Sequence, residues 1–260
     1  FLSLNCDEPE VRAELTNTNA SKLAQLIGSN KIVFIDEAQR VENIGLTLKL
    51  FTDNFKEVQL MVSGSSSLEL ANKINEPLTG RKLEYHLFPF SAQELIKDQG
   101  LLKEKQQLES RLIFGSYPDV VTHEHDAKEL LINLTQSYLY KDILTNSEIR
   151  KPAQLEKILV ALALQIGSEV SYNELAQMVQ SDVKTVEKYI DLLEKCFVIY
   201  RLNALSRNMR NELKRGKKIY FYDNGIRNAL LQNFSPLSLR NDTGALWENY
   251  FVTERMKRNQ

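Results

Sequence analysis

The sequence has little of what marks a secreted, membrane-spanning or disulfide-stabilised protein. Its 260 residues contain two cysteines, Cys6 and Cys196, which lie far apart, so we expect reduced core thiols and a cytoplasmic location. No apolar run approaches the ~18–20 residues of a membrane helix, so no membrane partner is expected. Residues 1–6 carry no basic lead and no cleavage site, which argues against a signal peptide.

The chain also lacks the residue patterns of several common catalytic centres. Its three histidines give no basis for a Ser-His-Asp or Cys-His grouping. His123 and His125 flank Glu124, but this spacing does not suit a helical zinc pair and predicts a surface loop. Of the ten glycines, only Gly216 is followed by lysine, and its surroundings do not fit GxxxxGK[ST]. No phosphate-binding loop is therefore present in these residues.

What is present begins with an alternation of predicted strands and helices over residues 1–90. We expect strands at 1–4, 31–36 and 58–63, with a helix at 41–55. Such alternation predicts a parallel sheet with crossover helices, and the near-continuous apolar strands fit burial on both faces.

A further strand is predicted at 81–88, where Leu83, Tyr85 and Leu87 alternate with polar residues until Pro89 stops the pattern. Residues 91–149 look helical, with a break at 115–118. Residues 152–200 look helical again, with a turn at Gly167 and Ser168, and are expected to form a separate small domain.

The segment Ile32-Val33-Phe34-Ile35-Asp36-Glu37-Ala38 carries the clearest chemical signal, four apolar residues ending in two carboxylates. Ligands of open α/β sheets lie beyond the carboxyl ends of the strands, so Asp36 is placed to hold a divalent ion on a triphosphate. Glu37 could orient and polarise an attacking water. Alternatively, Asp36 only caps the following helix.

The next predicted strand runs into Ser63-Gly64-Ser65-Ser66-Ser67, which would bring a hydroxyl beside the carboxylates. Ser65 is the candidate contact of the terminal phosphate; the alternative is a helix start that Ser66 or Ser67 caps. Arg81 could neutralise charge on a transferred phosphoryl group, from this subunit or a neighbour. Its alternative is a surface salt bridge.

A helix-turn-helix pattern follows at 171–196. Ser171 and Glu174 have capping-box spacing, and the second helix is followed by a strand at 197–202, which is the order of a winged helix-turn-helix. The exposed face of the second helix would offer Lys184, Thr185, Lys188 and Tyr189.

Basic residues are concentrated beyond this second helix, between 201 and 218. They are Arg201, Arg207, Arg210, Lys214, Arg215, Lys217 and Lys218, against the single acid Glu212. This cluster predicts a wing that follows phosphates, with a solvated hairpin on a protein-binding module as the alternative.

The ordered segments KIVFIDEAQRV, VSGSSSLEL, LTGRKLEYHLFPFSAQEL and FGSYPDVV resemble a prokaryotic family of AAA-type ATPases. In that family a phosphate-loop domain is followed by a winged-helix region and a restriction-endonuclease-like tail. The similarity continues in family order through YLYKDIL, IYFYDNGIRNALL and GALWENYFVTE. It implies binding of ATP and Mg²⁺, with Asp36 and Glu37 as the acidic motif, Ser65 as the sensor and Arg81 as an arginine contact.

The resemblance also implies that the phosphate loop lies upstream of Phe1, so we expect a fragment cut at both ends. Trp247 to Glu254 resembles the first helix of the nuclease-like domain, in which Glu248 would be an early acidic residue. The alternative is that Trp247 and Phe251 are packing residues.

The predicted fold is therefore α/β: a partial P-loop NTPase-type parallel sheet, then a helical region and a winged helix-turn-helix domain. The predicted domains are an ATPase core at 1–90, a helical lid at 91–150, a winged helix at 151–235 and a truncated nuclease-like start at 236–260. The first functional hypothesis is Mg-dependent ATP hydrolysis coupled to an unknown partner, DNA or a protein, with oligomers allowed. The second is a catalytically inactive winged-helix module that binds nucleic acid or protein.

Overall fold

The computed structural model describes residues 1–64, 78–136, 149, 151–203 and 217–259. Predicted site residues Ser65, Arg207, Arg210, Lys214 and Arg215 lie outside these ranges. The chain divides into two compact units, Phe1–His86 and Leu87–Gln260, and each is described by itself. Within the described ranges, no helix combines the length and apolar character needed to cross a bilayer.

The first unit is built on a three-stranded parallel sheet in the order β1-β2-β3. Its strands are β1 (Leu2–Asn5), β2 (Ile32–Asp36) and β3 (Gln59–Val62). Leu4 pairs with Ile35, and Ile35 with Val62, so all three strands end at the same edge. The sequence prediction of a parallel sheet at these segments is confirmed.

Helices connect the strands and close a single core. They are α1 (Pro9–Leu15), α2 (Ala20–Ile27) and α3 (Ile44–Asn54), with a 3₁₀ turn at Ala38–Arg40. The Asn19 side chain accepts a hydrogen bond from the backbone N–H of Lys22 at 3.0 Å and so caps α2. The Thr47 hydroxyl donates to the Leu15 carbonyl at 2.8 Å, which ties α3 to the end of α1. Buried apolar residues from all three helices surround β2.

The strand predicted at 81–88 is wrong. Residues 82–88 have no regular secondary structure, and Leu83, Tyr85 and Leu87 are 83%, 81% and 99% exposed. Alternation of apolar and polar residues describes only the side chains, whereas a strand also needs a neighbour for its backbone groups. In the part of the chain that the structure describes, no strand pairs with this segment.

The second unit begins with helices. They are α4 (Ala92–Gln99), α5 (Leu101–Gln106), α6 (Leu108–Phe114), α7 (Pro118–Thr122) and α8 (Ala127–Leu134). Gly100 and Gly115 end α4 and α6 with φ of 89° and 74°, a backbone region that favours glycine. The helices predicted from residue 91 and the break at 115–118 are thus confirmed as far as Leu134.

A small antiparallel sheet follows, packed with three helices. The elements are α9 (Pro152–Leu164), β4 (Glu169–Val170), α10 (Tyr172–Met178), α11 (Val183–Lys195), β5 (Ile199–Leu202) and β6 (Lys217–Phe221). The sheet order is β4-β6-β5, with both pairs antiparallel. Strand β4 was not predicted from the sequence, in which only a turn at Gly167 and Ser168 was expected.

Two further helices, α12 (Asn224–Leu230) and α13 (Thr243–Arg258), complete this unit. Asn249 of α13 accepts a hydrogen bond from the Phe221 N–H at 2.8 Å and donates one to the Phe221 carbonyl at 3.0 Å. Glu248 accepts hydrogen bonds from Lys218 and Tyr220, each at 2.8 Å. Trp247 stacks on Phe251, with ring centroids 5.2 Å apart. Helix α13 is therefore fixed along β6 by specific polar contacts.

Candidate functional site

The strand ends of the first unit bring polar side chains together at one edge. Asp36 is the last residue of β2 and pairs with Asn5 of β1. Ser63 follows β3 directly, and its hydroxyl donates a hydrogen bond to Oδ1 of Asp36. The Ser63 N–H donates to the Ile35 carbonyl at 2.9 Å, so backbone pairing fixes Ser63 beside Asp36.

The serine that the structure brings to Asp36 is therefore Ser63, whereas the sequence analysis proposed Ser65, which lies outside the described residues. A signal for Ser63 was available in the sequence. If the two apolar strands are aligned in parallel with Ile35 opposite Val62, Asp36 falls opposite Ser63. The contact of Ser63 with Asp36 thus follows from the register of the two adjacent strands.

Glu37 lies in a strained turn immediately after Asp36. Its backbone has φ 52° and ψ 39°, the left-handed region that non-glycine residues rarely adopt. One carboxylate oxygen, Oε2, accepts a hydrogen bond from Nε2 of Gln39 at 2.7 Å. Burial raises the pKa of Glu37 above its ordinary value; the hydrogen bond from Gln39 opposes this shift, and the charge of Asp36 adds to it.

Two further side chains border the carboxylates. Nε of Arg40 lies 2.6 Å from Oδ1 of Asp7 and 3.8 Å from Oε2 of Glu37. Cys6 is fully buried, and its N–H donates to the Asp36 carbonyl at 3.0 Å. Burial raises the pKa of the Cys6 thiol to about 11, with a further contribution from Asp36, so this thiol stays protonated and unreactive near neutral pH.

Arg81 is not brought to this edge. Its guanidinium pairs with Asp53 at 2.8 Å. Asp53 lies near the end of α3, which leads back from the carboxyl end of β2 to the amino end of β3. Within its own unit Arg81 therefore forms a salt bridge in which both side chains are half-exposed. A surface salt bridge was the alternative given for Arg81 from the sequence.

The edge offers oxygen ligands suited to a magnesium ion on a phosphate. Mg²⁺ in such sites takes one or two protein oxygens, while water and phosphate complete its coordination. The Asp36 carboxylate and the Ser63 hydroxyl supply oxygens of this kind. Among the described residues, no group of three acidic, histidine or cysteine side chains could hold an ion.

The second unit presents lysines on α11. Lys184 and Lys188 are exposed, as predicted for the second helix of the helix-turn-helix pattern. Tyr189, which was expected on the same exposed face, is buried, and its hydroxyl accepts a hydrogen bond from the Lys151 N–H at 3.2 Å. That part of the expectation is wrong.

Part of the predicted basic cluster is neutralised within the fold. Arg201 pairs with Asp191 at 2.6 Å and donates from Nε to Glu194 at 2.7 Å. Lys218 pairs with Glu248 at 2.8 Å. Arg201 and Lys218 therefore each form a salt bridge with carboxylates of the same unit.

His123 and His125 lie at the end of α7 and in the following turn. Nδ1 of His123 is 3.0 Å from the Thr122 hydroxyl and 3.1 Å from the Asp119 carbonyl. These are local contacts of a helix end, in agreement with the surface loop expected there.

The parallel sheet, its helices and the carboxylates at its carboxyl edge are consistent with an AAA-type, ATPase-like domain, which a family match supports. Residues 1–96 match the family model described as "AAA domain". The chain belongs to the family described as "Domain of unknown function (DUF8612)", whose model matches residues 105–237, more than half of the sequence.

Curated relatives are similar over most of this chain. An uncharacterized protein of Haemophilus influenzae is 27% identical over 209 residues, which cover 76% of this chain and 52% of the relative. An uncharacterized protein of Methanocaldococcus jannaschii is 23% identical, covering 99% of this chain and 60% of its own length. An uncharacterized protein of Mycobacterium tuberculosis is 27% identical, covering 95% and 56%. The chain thus spans between half and three fifths of the length of these relatives.

Proposed function

We propose that this chain supplies the acidic part of a Mg-dependent ATP-hydrolysing site, and that hydrolysis is coupled to a partner through the second unit. The observation that carries the proposal is the contact between Ser63 and Asp36, with Glu37 in the adjoining turn. The match of residues 1–96 to an AAA domain supports the same assignment.

In this proposal each residue has a distinct role. Asp36 and Ser63 would hold the metal, which would supply positive charge to neutralise the triphosphate. Glu37 accepts a proton from water as the water attacks the terminal phosphorus. Ser65 remains the proposed sensor of the terminal phosphate. Arg81 would act on a neighbouring subunit's nucleotide, since in its own unit it pairs with Asp53.

The phosphates also need a cradle of backbone N–H groups and a lysine. No phosphate-loop motif occurs in the sequence. We propose that residues preceding Phe1 supply it, so a test requires the longer protein that contains them.

The decisive variant in that longer protein is Glu37→Gln, with Glu42→Gln as its control. Loss of the proton acceptor should lower kcat for ATP hydrolysis by about 100-fold or more while ATP stays bound, since general-base catalysis contributes on this scale. Glu42 is exposed in the loop before α3, and its variant should match the parent. ATP turnover and retention of labelled nucleotide measure both effects. Hydrolysis by Glu37→Gln at the parental rate would rule out this role.

A second candidate function is nucleic-acid binding by a winged helix-turn-helix within the second unit. The supporting observation is the order helix, strand, helix, helix, strand, strand over α9 to β6, with the sheet order β4-β6-β5 and Lys184 and Lys188 exposed on α11. Lys184, Lys188, Arg207, Arg210, Lys214 and Arg215 are the proposed phosphate contacts. The lid at 91–150 and the nuclease-like start at 236–260 likewise remain proposals.

Charge reversal tests the nucleic-acid hypothesis. Lys184→Glu with Lys188→Glu should weaken binding to duplex DNA and flatten its dependence on salt, because fewer counterions are released. The control is Lys103→Glu with Lys105→Glu on α5, where both lysines are also exposed. Fluorescence anisotropy over a salt series measures the slope. Failure of the parent to bind DNA at low salt, or equal slopes for both pairs, would exclude DNA contact through α11.

A further inference from the structure

The side chain of Gln39 contacts the carboxylate proposed to activate water. Gln39 is 6% exposed and lies in the 3₁₀ turn Ala38–Arg40. Its Nε2 donates to Oε2 of Glu37 at 2.7 Å, across a spacing of two residues. A buried amide in this position limits the rotamers open to the Glu37 side chain.

The contacts of Glu37 are unequally divided between its two oxygens. Gln39 and Arg40 both approach Oε2, Arg40 at 3.8 Å. Among the residues that the structure describes, no hydrogen bond reaches Oε1. Oε2 is therefore anchored by its contacts. The Glu37 side chain is 27% exposed, so water has access to the carboxylate.

The backbone of the turn is anchored as well. The Ala38 N–H donates to the Ser63 carbonyl at 3.1 Å, and the Arg40 N–H donates to the Glu37 carbonyl at 3.0 Å. These bonds hold Glu37 in its left-handed conformation, which costs of order 1–3 kcal/mol for such a residue. The backbone and the side chain of Glu37, which follows Asp36 in the sequence, are thus both held in place.

We infer that Gln39 is a positioning residue, which holds Glu37 through Oε2 so that Oε1 accepts the hydrogen bond of the attacking water. This inference deepens the proposed ATPase function and rests on it. In the step concerned, the water oxygen forms a bond to the terminal phosphorus and the bond to the bridging oxygen breaks. The electron pair leaves with the nucleoside diphosphate, and Oε1 takes the proton from water. In this role Gln39 forms no bond and transfers no proton; it acts only through Glu37.

The test compares two variants of Gln39 in the longer protein that contains this chain. Gln39→Met keeps the length of the side chain but has no N–H donor, and Gln39→Glu keeps its shape but places an anion against Glu37. The control is Gln25→Met, at an exposed position of α2. We expect kcat for ATP to fall by about 10- to 100-fold in both variants, because misplacement of a catalytic group by about 1 Å costs on this scale. The Kd for Mg-ATP should stay close to the parental value in both variants. The melting temperature should stay parental in Gln39→Met but fall in Gln39→Glu, which adds a charge at a buried position.

The outcomes separate this inference from the function on which it rests. If the parent hydrolyses ATP and both Gln39 variants have the same kcat as the parent, the positioning role is overturned but the proposed function is not. Parallel loss of kcat and of Mg-ATP affinity would also overturn it, because a general disturbance of the site moves both. A parent that binds but does not hydrolyse Mg-ATP would remove the proposed function and this inference together. A fall in kcat alone, absent from Gln25→Met, supports the role.

Discussion

At the scale of single residues, the charge of Asp242 in the second unit is held by two arginines. Its carboxylate pairs with Arg227 and Arg240, whose side chains are 2% and 0% exposed. Arg240 donates to it from Nε and Nη2, each at 2.8 Å. The hydrogen bonds from Arg240 and Arg227 hold the pKa of Asp242 well below its usual range. Two buried guanidinium groups therefore share one carboxylate.

Asp242→Asn should lower the free energy of unfolding at neutral pH by about 3–5 kcal/mol, because it leaves two buried cations without a counter-charge. The solvent-exposed Asp98→Asn is the control and should change stability little. Urea denaturation followed by circular dichroism measures both.

The contacts of Asp242 with the two arginines also predict that the stability of the fold depends on pH. Since the folded-state pKa of Asp242 lies below its unfolded value, its stabilisation is fully present above about pH 4 and is lost as the pH falls further. The Asn variant should lack this contribution, so its stability should fall less on acidification than that of the parent. An equally steep acid dependence in both proteins would contradict the pairing.

The same scale shows which residue contacts can be predicted from sequence. Asp36 and Glu37 could be placed at the sheet edge because they directly end an apolar strand. The contact from Ser63 depends on strand register, which separate strand predictions do not contain. The hydroxyl of Tyr189 contacts the Lys151 N–H, 38 residues away, and helical periodicity says nothing about such a partner.

At the scale of elements, the end of α6 is locked to the start of α12. Asp223, which is buried, caps α12 by accepting from the Gly225 N–H at 2.7 Å. It also accepts from the Ser116 N–H at 2.7 Å, across 107 residues of sequence. Burial raises the pKa of Asp223 to about 6, against the effect of these donors. A Cβ at Gly115 would lie 1.9 Å from Oδ1 of Asp223, so only glycine fits there.

Two glycine substitutions separate backbone strain from crowding. Gly100→Ala introduces a side chain at φ 89° into open space and should cost about 1 kcal/mol. Gly115→Ala has a similarly unfavourable φ of 74° but must also displace Asp223, so it should cost about 3 kcal/mol. Thermal or urea unfolding of both variants checks the difference. Equal losses would show that the contact between Gly115 and Asp223 does not constrain the fold.

Element prediction succeeded where a segment carries its own evidence. The strands of residues 1–62 and helix α3 have apolar runs of the right length, and their positions were predicted closely, whereas α1 and α2 were given no bounds from the sequence. The two-residue strand β4 is too short for a periodic pattern and exists because Glu169 and Val170 pair with Lys218 and Lys217. The segment 81–88 shows the converse, since its alternation is clear but no described strand pairs with it.

At the scale of the whole molecule, the sequence indicated an α/β start and a helical continuation, and the structure has both. Four consecutive regions were predicted, whereas the structure divides into two compact units, the second of which extends from Leu87 to Gln260. The boundaries predicted within the second unit stay predictions. Local patterns could not give this grouping, because contacts such as those of Asn249 with Phe221 join segments that are distant in sequence. The relatives are considerably longer than this chain, so the proposed coupling between ATP turnover and a partner has to be tested in a protein of their length.

The backbone at Glu37 has a consequence for protein engineering. Asparagine and glycine occupy the left-handed region more readily than glutamate does, so either would relax this turn. A laboratory selection that rewarded only heat resistance would therefore tend to discard this carboxylate. Stabilised variants recovered in that way should be screened for turnover before they replace the natural sequence.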